Sequence, residues 1–220
     1  MQTDQLALLV TIAIIVLVSF PVHEFSHALA AYRLGDGTAR LFGRLTLNPV
    51  AHFDPVGGLM LLISGLIALE AHAAILFGWA KPTPINPSNL RYRHWGEAIV
   101  AAAGPLSNLI LATIAALPLR FILAGHVDAP EILIFILADF VQINLVLMVF
   151  NFIPIPPLDG SKVLYALLDQ GTVWRLRPML EQYGFVILIV LIIPLGSGGS
   201  LLGRVLGAVV DPLFRLLVGV

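Results

Sequence analysis

The chain alternates long apolar runs with short polar punctuation, and the runs have bilayer length. From Gln5 to Val22 there is no charged residue, and about 20 apolar residues suffice for a helix to span the hydrocarbon core. This first run continues to Ala31 and ends at Tyr32-Arg33, where Leu34-Gly-Asp-Gly-Thr38 supplies turn chemistry. Further runs cover Val56–Phe77, Glu97–Ala124, Pro130–Phe152 and Pro178–Leu195. A short helix is predicted near Ser161–Leu168, and Gly196-Ser-Gly-Gly-Ser200 reads as a flexible turn. The last stretch, Leu201–Val220, carries Arg204, Asp211, Pro212 and Arg215. It reads as a weak spanning helix or as an amphipathic one lying at the interface, with Asp211 and Arg215 spaced as an ion pair. The pattern predicts an all-α polytopic membrane protein of about five to six transmembrane helices. One domain is expected over residues 1–220, with a core over about 5–169 and C-terminal helices over about 178–220.

Three features interrupt the runs. Pro105, in Gly104-Pro-Leu-Ser-Asn108, predicts a break in the third long segment. Thr38–Leu47 alternates loosely between apolar and polar residues, which predicts a short strand or hairpin. Gly78-Trp-Ala-Lys-Pro-Thr-Pro-Ile-Asn-Pro87 is too rich in proline for a helix and predicts edge strand or extended chain. Together the last two predict a small irregular β-structure at one membrane face.

Composition narrows the class. Of 220 residues 59% are hydrophobic and 11% charged, with a mean hydropathy of +0.96, the balance of an integral membrane protein. A net charge of −1 argues against a nucleic-acid surface. The absence of cysteine excludes disulfides and thiolate metal sites, so any metal must be held by His, Asp or Glu. The first run lacks the basic start of a removable signal peptide.

The chemistry concentrates at Pro21-Val-His-Glu-Phe-Ser-His27. His23 and His27 are spaced to project from one helix face toward a single zinc ion, and Glu24 follows the first of them as a candidate base. Titratable groups at membrane depth are costly and point to function. Two histidines leave the site incomplete, because catalytic zinc usually has three protein ligands. His52, His72, His94, His126, Glu70, Asp139 and Asp159 are the candidates for the third. Asp159 is favoured because prolines pin its loop and Gly160 permits a tight turn. His52 reads as a loop residue, Asp139 and Gln142 as interhelical hydrogen-bonding groups, and Asn108 as a partner for backbone freed by Pro105.

His23-Glu-Phe-Ser-His27, Gly104-Pro-Leu-Ser-Asn108 and Asn151-Phe-Ile-Pro-Ile-Pro-Pro-Leu-Asp-Gly160, in this order, resemble the motifs of the site-2 proteases, intramembrane zinc metalloproteases. The likeness covers about residues 20–165, including the Gly43-Arg-Leu-Thr-Leu-Asn-Pro and Gly78-Trp-Ala-Lys-Pro stretches of short bacterial members, without PDZ or CBS domains. It implies one Zn2+ per chain held by His23, His27 and Asp159, with Glu24 as general base. It implies that Asn151 contacts the substrate backbone or the developing oxyanion. It further implies a zinc-dependent endopeptidase that cuts transmembrane protein substrates in regulated intramembrane proteolysis. Its place is the bacterial cytoplasmic membrane, with the active site toward the cytoplasm. A substrate helix must be unwound before it is cut, and an exposed edge at Leu41–Leu47 or Phe77–Lys81 could capture the extended segment. Two other functions use the same polar groups: a metal or proton transporter, and an inactive scaffold that binds transmembrane helices.

Topology follows from charge and from this site. If Val56–Phe77 dips into the membrane and returns, the loops bearing Arg33, Arg40, Arg44, Lys81, Arg91, Arg93, Lys162, Arg175 and Arg177 share one side. If Asp159 joins His23 and His27, the first and fourth segments run parallel, which also requires Val56–Phe77 to be re-entrant.

Overall fold

The computed structural model describes residues 2–71, 78–193 and 199–220. His72 and Phe77 lie outside the described residues, as does most of the turn before Leu201. The first segment is α1 (Gln2–Ile14), a π turn (Ile15–Ser19) closed by the Phe20 N–H donating to the Ile15 carbonyl, and α2 (Phe20–Arg33). Short helices α3 (Thr38–Leu41) and α4 (Pro49–His52) lead to α5 (Pro55–Ala71). Then come α6 (His94–Leu123), α7 (Glu131–Asn151), α8 (Gly160–Leu167), α9 (Gln170–Ile192) and α10 (Leu201–Val218).

Among the described residues three helical stretches are long and apolar enough to cross a membrane: Leu9–Arg33, His94–Leu123 and Glu131–Asn151. Their outer faces are apolar as well as their inner ones. On α6 the buried positions include Gly104, Ser107, Asn108, Ala112 and Ala116, while Ile110, Ile114, Leu117 and Phe121 are exposed. Large apolar residues outside, with small and polar residues among those buried, is the arrangement expected where lipid is the solvent. The interior cluster joins Ala112, Ala116 and Leu119 of α6 to Val141, Leu145 and Met148 of α7, and Val210 and Val218 of α10 close it. A second cluster joins Ile14 and Ile15 to Leu61 of α5 and Ile143 of α7.

The directions of the helices are fixed by polar contacts at both ends. Thr11 Oγ1 donates to Asp139 Oδ2 (2.8 Å), and 12 residues further along the first segment His23 lies against Asp159, beyond the end of α7. The first segment and α7 therefore run parallel. Between α2 and α6 the chain leaves and returns to one place, because the Arg91 N–H donates to the Leu34 carbonyl (2.9 Å). Likewise Gly78 has come back beside the first turns of α5. A Cβ on Gly57 would overlap the Trp79 carbonyl oxygen, and one on Gly78 would lie 2.8 Å from the Gly57 oxygen.

Several sequence expectations are corrected here. No β-sheet forms among the described residues, so the predicted β-structure is absent. Local side-chain bonds override the weak alternation: Asp36 Oδ1 accepts from the Thr38 N–H in the turn before α3, and Asn48 Oδ1 caps α4 by accepting from the Val50 N–H. Leu41–Leu47 cannot be a strand edge, since it begins inside α3 and turns at Gly43 with φ +68°. Residues 78–86 form neither helix nor strand and donate elsewhere than to a ladder, with the Lys81 N–H on the His52 carbonyl (2.8 Å). Helix α6 runs unbroken through Pro105, where the expected break is absent. A proline removes one N–H, and α6 is packed against α2, α7 and α8, which hold the helix on course. Helix α9 begins at Gln170, ahead of the expected start, because Asp169 Oδ1 caps it by accepting from the Thr172 N–H (3.0 Å). Asp211 and Arg215 form no ion pair within 4.0 Å among the described residues.

The turn after α2 is tied to the chain before α6 by Asp36, which is fully buried. Its carboxylate accepts from the Thr38 N–H and hydroxyl, the Asn86 N–H (2.7 Å) and the Asn89 amide (3.1 Å). Burial alone would raise its pKa, but these four donors outweigh it and hold the carboxyl below the usual range.

Candidate metal centre

His23 and His27 lie one turn apart on α2, and both rings are buried. Asp159 reaches them from the proline-rich loop at the start of α8. The three candidate ligand atoms form a nearly equilateral triangle. His23 Nε2 to His27 Nε2 is 3.0 Å, His27 Nε2 to Asp159 Oδ2 is 3.1 Å, and His23 Nε2 to Asp159 Oδ2 is 3.2 Å. Ligand atoms at tetrahedral zinc, with bonds of about 2.0–2.1 Å, are separated by about 3.3 Å, so the triangle is close to one face of such a site.

The far side of each ring settles which nitrogen is free. His27 Nδ1 lies 2.7 Å from the Val100 carbonyl, which can only accept, so that nitrogen carries the proton and Nε2 is left with its lone pair. His23 Nδ1 lies 2.6 Å from Asn108 Oδ1, and the Asn108 amide in turn donates to Asn144 Oδ1 (2.9 Å). The Asn144 amide donates to the Phe140 carbonyl (2.9 Å). The chain Asn144–Asn108–His23 thus also leaves His23 Nε2 unprotonated. Two imidazole lone pairs and a carboxylate oxygen converging at about 3 Å repel one another unless a cation lies between them, and this donor set fits zinc. Gly104 makes room: a Cβ there would collide with Nε2 of both histidines.

Glu24 follows His23 on α2 and is held by Thr83 of the irregular segment 78–86. Its Oε2 accepts from the Thr83 N–H (2.9 Å) and hydroxyl (2.8 Å). Lys162 Nζ lies 3.6 Å from Asp159 Oδ1, the oxygen facing away from the histidines. Asn151 is not joined to the triad; its amide donates to the Leu147 carbonyl (2.9 Å) one turn back on α7.

The other sequence candidates lie elsewhere. His52 bonds the Thr46 carbonyl (2.8 Å) and Asp139 bonds Thr11, the interhelical contact expected of it. His94 stands at the start of α6 beside Trp95, and His126 packs near Phe121 beyond its end. His72 is outside the described residues, as is the side chain of Glu70. Sequence reasoning gave no role to Thr83 and no specific one to Asn144. The one signal for Asn144 was an amide inside an apolar helix, and Thr83 carried none.

Comparison with known proteins decides the family. A Bacillus subtilis protein named "Putative zinc metalloprotease YwhC" is 39% identical over 197 residues, covering 87% of this chain and 84% of its own length. The chain belongs to the site-2 protease family. Proteins named "Putative zinc metalloprotease Rip2" share 34% identity in Mycolicibacterium smegmatis and 31% in Mycobacterium tuberculosis. These matches cover 80% and 86% of this chain and 64% and 69% of the relatives. No family profile and no solved structure matches the chain. For a site-2 protease, the convergence of His23, His27 and Asp159 is the group that could hold the metal ion.

Proposed function

We propose that this chain is a zinc-dependent intramembrane endopeptidase that hydrolyses peptide bonds within or near transmembrane segments. The observation that carries the reading is the buried triangle of two imidazole nitrogens and a carboxylate oxygen, with a tethered glutamate beside it. In this reading His23, His27 and Asp159 hold zinc, which supplies a Lewis acid for the scissile carbonyl and lowers the pKa of water. Glu24 takes the proton from the attacking water and later delivers it to the leaving amine. Asn151, released from the Leu147 carbonyl, turns its amide toward the substrate backbone or the developing oxyanion. The irregular stretch beginning at Gly78 is the remaining candidate for an edge that receives the unwound substrate.

The same reading places the chain as a multi-pass protein of the bacterial cytoplasmic membrane, with five to six helices and a re-entrant Val56–Phe77. The Leu34–Arg91 hydrogen bond and the return of Gly78 to α5 support re-entry. The site then faces the cytoplasmic half of the bilayer, where the basic loops also lie, and its substrates enter as single-span proteins in regulated proteolysis.

The test uses purified protein, its Glu24→Gln variant and a broad panel of single-span substrates, with and without a zinc chelator. Cleavage that the chelator and Glu24→Gln each abolish is the expected outcome, with bound zinc retained in the variant. Transport that tolerates Glu24→Gln, or substrate binding without any cleavage, would replace the protease reading.

A further inference from the structure

We infer that Thr83 is a positioning residue for the general base, fixing one carboxylate oxygen of Glu24 so that the other faces the reacting water. The inference rests on the protease reading above and adds a residue to its machinery.

Glu24 follows His23 directly on α2, so its side chain leaves the helix about 100° around from the ligand face. A glutamate with three free torsions would sample positions away from the metal centre. Thr83 removes that freedom. Its backbone N–H and its hydroxyl converge on one oxygen, Oε2, at 2.9 and 2.8 Å. The hydroxyl also lies 3.2 Å from the Glu24 backbone carbonyl, but its single proton goes to the nearer Oε2. Among the described residues, Oε1 takes no hydrogen bond. One oxygen is therefore saturated with donors and the other is left to accept a proton.

The local sequence explains why the grip is firm. Thr83 stands between Pro82 and Pro84. Pro82 has a fixed φ, and a residue before proline is confined to extended backbone. The Thr83 N–H is delivered from a stiff piece of chain, itself anchored two residues earlier by the Lys81 N–H on the His52 carbonyl. A purely structural anchor would need only one of the two donors. Two donors on one carboxylate oxygen specify the orientation of the carboxylate.

The test compares Thr83→Val, which keeps shape and N–H but loses the hydroxyl, with Thr83→Ser, which keeps both donors. Wild type and Glu24→Gln accompany them on a single-span substrate, and bound zinc and thermal midpoint are measured on each protein. Thr83→Val is expected to lower kcat about tenfold or more, the usual worth of a hydrogen bond to a charged group. KM, zinc content and thermal midpoint stay within twofold or a few degrees of wild type, and Thr83→Ser restores most of kcat. Wild-type kcat in Thr83→Val overturns the inference. So does a loss confined to KM, which would make Thr83 a substrate contact, or a loss that follows zinc content or thermal midpoint, which would make it a structural anchor. If wild type itself shows no chelator-sensitive cleavage, it is the protease reading that falls.

Discussion

What stands behind each ring of His23 and His27 leaves its Nε2 free to bind a metal ion. A peptide carbonyl behind His27 and the Asn108 amide behind His23 assign the protons, and groups in this position usually matter 10–100-fold for metal affinity. Asn108→Ala should weaken zinc binding by about that factor, measured by competition with a chelator, while Asn144→Ala, one link further out, should weaken it less. Gly104→Ala should abolish stoichiometric zinc in metal analysis, since the added methyl falls on both Nε2 atoms. At this scale the sequence was most legible for the triad that the structure brings together, His23 and His27 by their spacing and Asp159 by its proline-pinned loop and the family motif. It was least legible for Thr83 and Asn144, whose partners are 59 and 36 residues distant.

Among the elements, helices were legible where hydrophobicity was long and continuous, and illegible where four-residue turns depend on one side-chain cap. Asp36 illustrates why. Nothing in Gly35-Asp36-Gly37 announces that its carboxylate will gather four donors, two of them from residues 86–89, and so clamp the exit of α2 to the approach to α6. Asp36→Asn puts an amide donor among donors and should cost about 1–3 kcal/mol of stability at neutral pH. The folded-state pKa of Asp36 is depressed. Its contribution is therefore complete above the unfolded carboxylate range, near 3.8, and is lost as pH falls through the lower folded value. The difference in thermal midpoint between wild type and Asp36→Asn should accordingly hold from neutral pH to about pH 5 and shrink on further acidification. An undiminished difference at pH 3 would mean that the contacts do not depend on the charge.

Across the whole molecule, parallel travel of the first segment and α7 makes a topological statement that can be read from outside. The chain has no cysteine, so single introduced thiols report their own side of the membrane. Phe42→Cys, Ser88→Cys and Trp174→Cys are all exposed positions and should label with an impermeant reagent from one face, and Val127→Cys from the other. Opposite labelling of Phe42→Cys and Ser88→Cys would mean that the chain between them crosses the membrane. The π turn at Ile15–Ser19 has a consequence of another kind, for how chain length is tolerated. A π turn holds one residue more than the α turn it replaces. Deleting Val16 would close it to an α turn while leaving α1 and α2 in their present angular relation, so zinc should be retained. Deleting Phe25 would swing His27 by about 100° and release the metal. The widened turn is a spare residue, a place within the first segment where a deletion need not be felt at the histidines.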